Sequence, residues 1–381
     1  MICGAVANNM DRLWDVLIVG SGVAGAMAAY GAARQGKSVL LIDKARFPRG
    51  KACGCCLNKA AVDLLDQTGL NVRLLGAVPV DRFQLACAGT RAMLHTPPGL
   101  AISREILDVA LIGHAQRAGA CFMPQTAAQQ TQAFPLHRTV DVLTSGIPAV
   151  LRAKVVLAAD GLGGRLMRET SRLEIASNSR IGVAATLEHA GDAFAPGIIY
   201  MACGKHGYVG LVIVEAGQLH IAAALGVNAV RDASGPGHAV EEIMCEAGMP
   251  VPLGLDKCRW YGAPALTCRR KIIAAPRLFV IGDAAGYVEP FSGEGMAWAL
   301  ASGLGILSLV DQVPDVWRPD LEEQWQRRHH DLVVARQRTC RAVTMLLRHQ
   351  GLLRMAIRAL RLSPALAVPF LWKINKPFIN I

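Results

Sequence analysis

Short apolar runs alternate with helical patterns in the first part of the sequence. Residues 15–20, DVLIVG, are β-branched and aliphatic, as is typical of a parallel strand buried on both faces. Small residues at helical spacing follow in 21–36, and residues 37–44, KSVLLIDK, predict a second strand. Residues 103–120 predict a helix with Ser103 as its N-cap. The two strands and the helix between them predict a βαβ unit.

The pattern changes near residue 180. From 180 to 230, several short apolar runs separated by glycine predict antiparallel strands in a separate layer. Residues 81–96 predict a further strand pair, and 154–161 predict a buried strand that ends in a turn. Residues 277–286, RLFVIGDAAG, return to the strand-then-glycine pattern. The first unit therefore resumes after an insertion.

Composition narrows the class of protein. With 381 residues, 52% of them hydrophobic, the protein can bury a large core, which argues against disorder. The first residues, MICGAVANNMDRLWD, lack the basic and apolar regions of a secretory signal, and 11 cysteines in a sequence of this length favour a reducing cytoplasm. No segment offers the ~20 apolar residues that cross a bilayer.

The formal charge of +11 is concentrated at the end of the sequence, where residues 332–381 contain no Asp or Glu. Arginines alternate there with Leu, Met and Ile, a pattern typical of amphipathic helices on an anionic membrane. The alternative is that these helices pack on the body of the protein with their arginines in solvent. Nucleic-acid binding is not expected, because the region lacks spaced aromatic residues for base stacking.

Gly20, Gly22 and Gly25 have the GxGxxG spacing, between a predicted strand and a predicted helix. The first glycine permits a tight turn, the second lets a pyrophosphate approach the backbone, and the third lets helix and strand pack closely. Asp43 follows at the end of the second strand, where an acidic side chain can bind an adenosine ribose. This combination predicts a dinucleotide site for FAD or NAD.

Four stretches extend this motif: residues 15–25, 103–120, 155–168 and 280–303. In this order they resemble flavoproteins of the para-hydroxybenzoate-hydroxylase fold, and within it the geranylgeranyl-reductase-like branch. The resemblance implies an α/β fold with a Rossmann-like FAD-binding domain, an inserted antiparallel-sheet substrate domain and C-terminal helices. The expected bounds are 12–76, 99–175 and 268–312 for the FAD-binding domain, 77–98 and 176–267 for the substrate domain, and 313–381 for the basic, apolar C-terminal helical region.

The resemblance also implies roles for individual residues around FAD. Arg104 matches an arginine that reaches the phosphate or ribityl part of the cofactor, and Asp283 matches an aspartate that binds the ribityl chain. Relatives often have Ser where this protein has Gly164, which weakens the case for NADPH binding beside Asp160. The residues expected to bind FAD are Gly20, Gly22, Ala24, Gly25, Asp43, Lys44, Lys51, Arg104, Asp160, Gly161, Gly282, Asp283, Gly286, Gly293, Gly295 and Met296.

Three cysteines lie close together in residues 51–58, KACGCCLN. In the family this loop passes the flavin ring, so Cys53, Cys55 and Cys56 are candidate catalytic residues. A thiol near Lys51 can have a lowered pKa and serve as a proton donor or redox partner. The alternative is that the cysteines are small apolar fillers. No metal site is expected, because the remaining cysteines are scattered and form no second C-x-x-C motif.

Flavoproteins with this scaffold carry out several kinds of reaction. The resemblance favours a reductase of C=C bonds in a prenyl or other long-chain lipophilic substrate, since Gly286 stands where many aromatic hydroxylases have His. The alternatives are a flavin monooxygenase that acts on an alkyl-aromatic or polyketide phenol, and a flavin electron-transfer protein. Electrons would come from NAD(P)H or a ferredoxin-type carrier, since no second GxGxxG is present.

Tyr200, Tyr208 and Leu211 are expected to line the substrate pocket. The expected location is the cytoplasm, with peripheral attachment to the inner face of the membrane as a further expectation.

Overall fold

The computed structural model describes residues 12–189, 191–289, 291, 293–378 and 381. The expectation drawn from the first residues of the sequence falls largely on 1–11, which lie outside the described residues. Two positions of the segment 290–296, Pro290 and Ser292, also lie outside them.

In the described part of the protein, three sheets contain the strands. In sequence order these are β1 (Leu13–Val19), β2 (Val39–Ile42), β3 (Cys56–Leu57), β4 (Val78–Cys87), β5 (Thr90–Ala101), β6 (Cys121–Met123), β7 (Thr126–Ala133), β8 (Arg138–Thr144), β9 (Ile147–Ala158), β10 (Leu173–Ile175), β11 (Ile181–Leu187), β12 (Ile198–Gly204), β13 (Gly207–Ile213), β14 (Leu219–Leu225), β15 (Tyr261–Ala265), β16 (Cys268–Arg270), β17 (Ala274–Ala275), β18 (Leu278–Val280) and β19 (Gly286–Tyr287).

The α-helices surround these sheets. They are α1 (Val23–Arg34), α2 (Lys59–Gln67), α3 (Arg104–Arg117), α4 (Val227–Asp232), α5 (Pro236–Ala247), α6 (Gly295–Gly305), α7 (Leu307–Val310), α8 (Asp320–His329), α9 (Ala335–Leu346), α10 (Gln350–Leu362) and α11 (Val368–Ile374). A π-helical turn, His330–Val334, joins α8 to α9.

The first sheet has the parallel order β6-β2-β1-β9-β18, with β17 antiparallel at one edge. Strand β1 is central, and the sequence-predicted run Val16–Val19 pairs with both β2 and β9. The side chains of Val16–Val19 are almost wholly buried, as expected for a strand covered on both faces. The hairpin of β7 and β8 extends β9 on the antiparallel side, an element that the sequence did not indicate.

The second sheet has the order β15-β11-β14-β13-β12-β4-β5-β3 and is antiparallel except for the pair β12 and β4. Helix α5 covers one face, where Val240 and Ile243 enter a core with the alternate side chains of the strands. The other face looks towards the first sheet and the C-terminal helices. Because β3 and the end of β5 join this sheet, it reaches residues on either side of the expected 77–98 segment.

The C-terminal region is helical, as expected. Trp325 of α8 is fully buried and donates its Nε1–H to the Val280 carbonyl over 2.9 Å, which anchors the region to the first sheet. Helix α10 buries Leu353 and Ile357 against the second sheet. Within the described residues, no helix is long and apolar enough to span a bilayer.

Candidate cofactor and active site

One cleft of about 750 Å³ lies between the two large sheets. The carboxyl ends of parallel strands meet at its edge, which is where α/β proteins bind ligands. The cleft brings together 19 of the sequence-predicted residues: Gly20, Gly22, Ala24, Asp43, Lys44, Lys51, Cys53, Cys55, Cys56, Arg104, Asp160, Gly161, Tyr208, Leu211, Gly282, Asp283, Gly293, Gly295 and Met296. Gly25, Tyr200 and Gly286 are not among the residues that line it.

The glycine turn has the geometry that its spacing predicts. Gly20 has φ +102°, and a Cβ there would lie 2.3 Å from the Ala159 carbonyl oxygen. A Cβ on Gly25 would lie 1.9 Å from the Gly20 carbonyl oxygen, so a side chain at either position would force the backbone apart. At Gly22 the nearest heavy atom would be 3.9 Å away, on the Arg104 guanidinium. The first and third glycines thus permit the fold, and the second leaves space in the cleft.

Asp43 occupies the end of β2 beside this turn. Its Oδ2 accepts hydrogen bonds from the Ser21 backbone N–H (2.8 Å) and the Ser21 hydroxyl (3.0 Å), and its Oδ1 accepts one from the Ala45 N–H (2.8 Å). These bonds fix the carboxylate at the cleft wall. A carboxylate has about four lone-pair sites, so it retains capacity to accept a ribose hydroxyl.

A buried ion pair lies beside the cleft, which its arginine lines. The Arg104 guanidinium binds Asp108 through two hydrogen bonds of 2.9 Å, and Asp108 is fully buried. Arg49 approaches the same carboxylate to 3.6 Å. Asp108 was not among the predicted site residues, although its position four residues after Arg104 on a helix is the spacing of a side-chain pair. The predicted contact of Arg104 with a phosphate stays a prediction.

The cysteine loop, defined as residues 51–56, lines the cleft beside this pair. The Cys55 side chain and the positive charge of Arg104 hold the pKa of Cys53 well below its usual value, despite the opposing effect of burial. The Cys53 side chain and burial raise the pKa of Cys55, and burial raises the pKa of Cys56 to about 12. Cys53 is therefore the most acidic of the three thiols in the loop.

Backbone contacts hold the cysteine loop in place. The His220 Nε2–H donates to the Cys53 carbonyl over 2.7 Å, and His220 Nδ1 lies 3.0 Å from the Thr186 hydroxyl. The Ile102 N–H donates to the Cys55 carbonyl over 2.9 Å. Cys55 itself has φ +55°, an uncommon conformation for a residue with a side chain. His220 was not predicted, because it meets the loop only through the packing of a distant strand.

Lys51 and Asp283 both line the cleft, and their charges affect each other's pKa. Burial lowers the pKa of Lys51, and the neighbouring Arg104 lowers it further. Burial raises the pKa of Asp283, while the charges of Lys51 and Arg104 oppose that shift. The two groups therefore favour each other's charged form inside a low-dielectric site. Asp283 follows Gly282, whose N–H donates to the Ser302 hydroxyl over 3.0 Å.

Asp160 holds the turn after β9. Its Oδ2 accepts hydrogen bonds from the Arg165 N–H (2.7 Å) and the Leu166 N–H (3.1 Å). A Cβ on Gly164 would lie 2.9 Å from Asp160 Oδ1, so a serine there would crowd the carboxylate. The absence of the family serine thus has a local steric explanation. Gly161 adopts φ +77° and lines the cleft next to Asp160.

Helix α6 begins at the cleft with Gly295 and Met296, so its free N–H groups lie there. Gly293 has φ +78°, and a Cβ on it would lie 3.2 Å from the Cys56 Cβ, which shows that this turn packs on the cysteine loop. Gly286 lies elsewhere, in β19, where it pairs with Arg269. Its φ of +134° gives it a backbone reason to be glycine.

The three predicted pocket residues divide between the two faces of the second sheet. Tyr208 lies on the cleft face, where its ring meets Phe291 at 5.2 Å between centroids. Tyr200 and Leu211 are cross-strand partners, and their side chains enter the core beneath α5. The Tyr200 hydroxyl accepts the Ala195 N–H over 2.9 Å. Tyr200 therefore lies outside the cleft, whereas Leu211 borders it although its side chain belongs to the core.

The residues present fit FAD. The cradle at Gly22 is open, and three cations, Arg49, Lys51 and Arg104, meet where a pyrophosphate needs compensation. Arg49 Nε is buried and has no hydrogen-bond partner among the described residues, so it is available to a phosphate oxygen. The N-terminus of α6 offers oriented N–H groups to the electron-rich edge of a flavin.

Comparison with known proteins supports this fit. The model of the FAD binding domain family matches residues 14–219. Among curated relatives, menaquinone reductase of Mycobacterium tuberculosis is 26% identical over 84% of this chain and 82% of its own length. Digeranylgeranylglycerophospholipid reductase of Methanoculleus marisnigri is 27% identical, over 77% and 75%. Conditioned medium factor receptor 1 of Dictyostelium discoideum is 25% identical, over 86% and 68%.

Solved structures show the same fold. p-Nitrophenol 4-monooxygenase of Pseudomonas putida superposes with a TM-score of 0.78 at 15% identity, over 96% of this protein and 99% of the other. A triple mutant of a flavin-dependent brominase gives 0.79 at 15%, over 95% of both proteins. The predicted fold class and the FAD cofactor are confirmed. Because the family model matches more than half of its residues, this protein belongs to the FAD-binding-domain family of flavoproteins.

Proposed function

We propose that this FAD-dependent oxidoreductase reduces C=C bonds of a prenyl or other long-chain lipophilic substrate. The observation that carries the proposal is the contrast between the two walls of the cleft. The charged residues of the cleft lie on segments that follow strands of the first sheet and at the start of α3, whereas the described cleft residues between 182 and 266 include no charged side chain. Phe83, Met201 and Phe291 add apolar surface beside Tyr208. Transfer of an apolar molecule from water to this apolar wall would be favourable.

The names of two relatives support the same substrate class, since both are called reductases and one is named for a digeranylgeranyl lipid. Their identity to this protein is low, so the assignment to this protein remains our proposal. An apolar wall next to a redox cofactor also excludes water, which protects a hydride transfer.

When bound, FAD supplies the two-electron chemistry of hydride transfer. The protein's own residues would supply the accompanying proton. Cys55, whose pKa is raised well above the usual thiol value, lines the cleft with Cys53. We assign the Cys55 proton to the substrate carbon that does not receive the hydride. Cys56, with its raised pKa, would serve as a second reservoir.

The other predicted cofactor residues keep their roles as part of this proposal. Asp43 and Lys44 would hold the adenosine end, Arg104 and Lys51 the pyrophosphate, and Asp283 the ribityl chain. Gly293, Gly295 and Met296 would border the flavin ring. Electrons would come from NAD(P)H or a ferredoxin-type carrier.

The C-terminal surface would bring the protein to its substrate. We define it by the exposed residues Met345, Leu352, Met355, Arg354, Arg358, Arg361, Leu362, Leu366, Val368 and Trp372. Its large apolar side chains are each more than half exposed, and the sequence has no acidic residue after Asp331. Exposed apolar and cationic groups on amphipathic helices suit the interface of an anionic bilayer. We propose peripheral binding to such a surface.

The test is product analysis with a chemical reductant. Reduced holoenzyme, supplied with a prenylated quinone, should yield a product heavier by two hydrogen atoms in its prenyl tail, without a need for oxygen. A product heavier by one oxygen atom, formed only in air, would instead establish the monooxygenase alternative. No product, with rapid oxidation by a carrier protein, would establish the electron-transfer alternative. Either result would refute the reductase.

A further inference from the structure

The turn after β9 borders a place where the cleft opens to solvent. Gly163 and Arg165 line the cleft, and both residues are exposed. The Arg165 N–H donates to the Asp160 carboxylate over 2.7 Å, which ties the turn to the end of its strand. Residues 161–172 therefore form one side of the cleft mouth.

A buried arginine fixes this turn relative to the cleft. Arg270 is 4% exposed and donates hydrogen bonds to the backbone carbonyls of Gly164 (3.1 Å) and Ser171. A third bond, to the Ala284 carbonyl (3.0 Å), joins the turn to the segment after β18. Because one guanidinium binds both halves of the turn, the exposed side chains of the turn stand on a well-supported backbone.

Those exposed side chains are mostly cationic. Arg165, Arg168 and Arg172 are exposed, and none of them forms an ion pair with an acidic residue in the part of the chain that the structure describes. Glu169 is the acidic residue of the segment 161–172. Three arginines against one glutamate leave the turn positively charged.

The short sheet next to the turn extends this charge. Its strand β10 begins at Leu173, directly after the turn, and pairs with β16. The exposed side chains of Arg269 and Lys271 share one carboxylate, that of Glu174, at 2.9 and 2.7 Å. Two cations for one anion leave this part positive as well. We define the mouth surface as Arg165, Arg168, Arg172, Arg269 and Lys271.

We propose that the mouth surface docks a small electron-carrier protein with an acidic surface, which reduces the cofactor in the cleft. This inference rests on the oxidoreductase function proposed above and names its electron donor, and it holds for any substrate of the cleft. Two one-electron carriers would each lose one electron here. The cofactor would gain both electrons, together with one proton from solvent.

The positions of the cations favour a protein over a free nicotinamide dinucleotide. Small ligands bind in concave sites that surround most of their surface. Arg165 lines the cleft, whereas the other four cations of the mouth surface are not among the residues that line it. Ile175 and Ile272, which are 61% and 48% exposed, add apolar area beside these cations. Arginine and apolar side chains together are typical of protein interfaces, and complementary charge selects the partner.

Charge also explains how such a carrier would reach the cleft. A one-electron donor must arrive twice in each turnover, so its association rate matters. Attraction between opposite charges raises association rates by about 10- to 1,000-fold, and salt screens this attraction. A positive mouth surface would therefore concentrate an acidic carrier where the cofactor is accessible.

Rapid-mixing kinetics of the holoenzyme test the proposal. The probe is reduced plant-type [2Fe–2S] ferredoxin, an acidic one-electron carrier, mixed with the holoenzyme without substrate and without oxygen. Reduction of FAD should be second order overall. Its rate constant should fall by about tenfold or more between about 0.01 M and about 1 M salt, because the Debye length shortens over this range.

Charge-reversal variants locate the docking surface. Arg168→Glu combined with Arg172→Glu should lower the rate constant at low salt by about tenfold or more, while reduction by dithionite stays unchanged. The matched control is Arg34→Glu combined with Arg117→Glu. It reverses the same charge at exposed positions in the last turns of α1 and α3, about 20 Å along α3 from its start at the cleft, and should keep the wild-type rate.

Three results would overturn the proposal: equal rate constants for the Arg168/Arg172 variant and the wild type, a rate that does not depend on salt, and reduction by NADPH but not by ferredoxin. So would loss of binding to anionic vesicles in that variant with its reduction rate intact, since the surface would then be a membrane contact. Because FAD reduction is measured without substrate, these results are independent of the product analysis that tests the reductase.

Discussion

The cleft and the C-terminal surface both rely on arginine, but in opposite environments. In the cleft, Arg104 is 4% exposed and makes two hydrogen bonds of 2.9 Å to the fully buried Asp108. On the C-terminal surface, Arg354, Arg358 and Arg361 are exposed, and no acidic residue follows Asp331 in the sequence. One arginine is held in a single geometry by its partner, and the others are free to meet a flat, charged surface.

The comparison shows in which environment a charge affects the stability of the fold. A buried charge must be paired, because removal of its partner leaves an uncompensated ion in a low dielectric. An exposed charge contributes little to folding, because water and salt screen it. Substitutions in the cleft should therefore disturb folding and cofactor binding together, whereas substitutions on the C-terminal surface should change only association.

The largest expected effect follows from breaking the buried pair. Arg104→Met should lower the free energy of unfolding by about 3–5 kcal/mol, because Asp108 would remain buried without its cation. Urea denaturation measures the change. Arg358→Met is the matched control on the C-terminal surface and should stay within about 0.5 kcal/mol. Equal costs for the two variants would remove the distinction between the regions.

The glycines give a second comparison. Gly25→Ala should destabilise the protein by about 2–3 kcal/mol, because its Cβ would lie 1.9 Å from a backbone oxygen. A Cβ on Gly351, at the start of α10, would have no heavy atom within 4 Å, so Gly351→Ala should stabilise by about 0.5–1 kcal/mol. Thermal unfolding reports both signs. A neutral Gly25→Ala would contradict the tight turn.

The Cys53 and Cys56 thiols should lose their protons at different pH values. Because the pKa of Cys53 is lowered, its thiolate stabilises the fold above the ordinary thiol pKa, and that contribution is lost as pH falls through the lowered value. Alkylation of Cys53 in the FAD-free protein should therefore reach its full rate well below the pH that other thiols need. Cys56, with its pKa near 12, should react only in strong alkali. Arg104→Met should slow Cys53 at neutral pH by about tenfold for each unit by which its pKa rises. Identical pH profiles for the two thiols would refute the assignment.

The smallest effect concerns the C-terminal surface. Arg358→Gln should weaken binding to vesicles of anionic phospholipid by about fivefold at low salt, since each cation near such a surface contributes about 1 kcal/mol. Neutral vesicles should bind neither form. Arg172→Gln, at an exposed arginine outside this surface, is the control and should leave binding unchanged. If both variants bind anionic vesicles as the wild type does, the surface is not a membrane contact.

The sequence predicted the parts of the site that depend on local pattern. The glycine turn at Gly20 and the acidic end of β2 at Asp43 lie within one βαβ unit, so their spacing implies their geometry. The resemblance supplied Asp160 and Asp283, which reach the same cleft because all four follow parallel strands of one sheet.

The parts it missed depend on register and long-range packing. Tyr200 and Tyr208 face opposite sides of the second sheet because β12 and β13 pair Cys203 with Tyr208, a register that the turn between them sets. His220 reaches the Cys53 carbonyl from a strand 167 residues later in the sequence. Because this contact joins two distant segments, the residue pattern within either segment does not predict it.

The most direct test of the central claim is an anaerobic single turnover. Holoenzyme reduced with a chemical reductant, then mixed with a prenylated quinone in the absence of oxygen, should regain the yellow colour of oxidised FAD as one C=C bond of the prenyl tail per flavin becomes saturated. Protein that stays reduced with intact substrate until air is admitted would contradict the account.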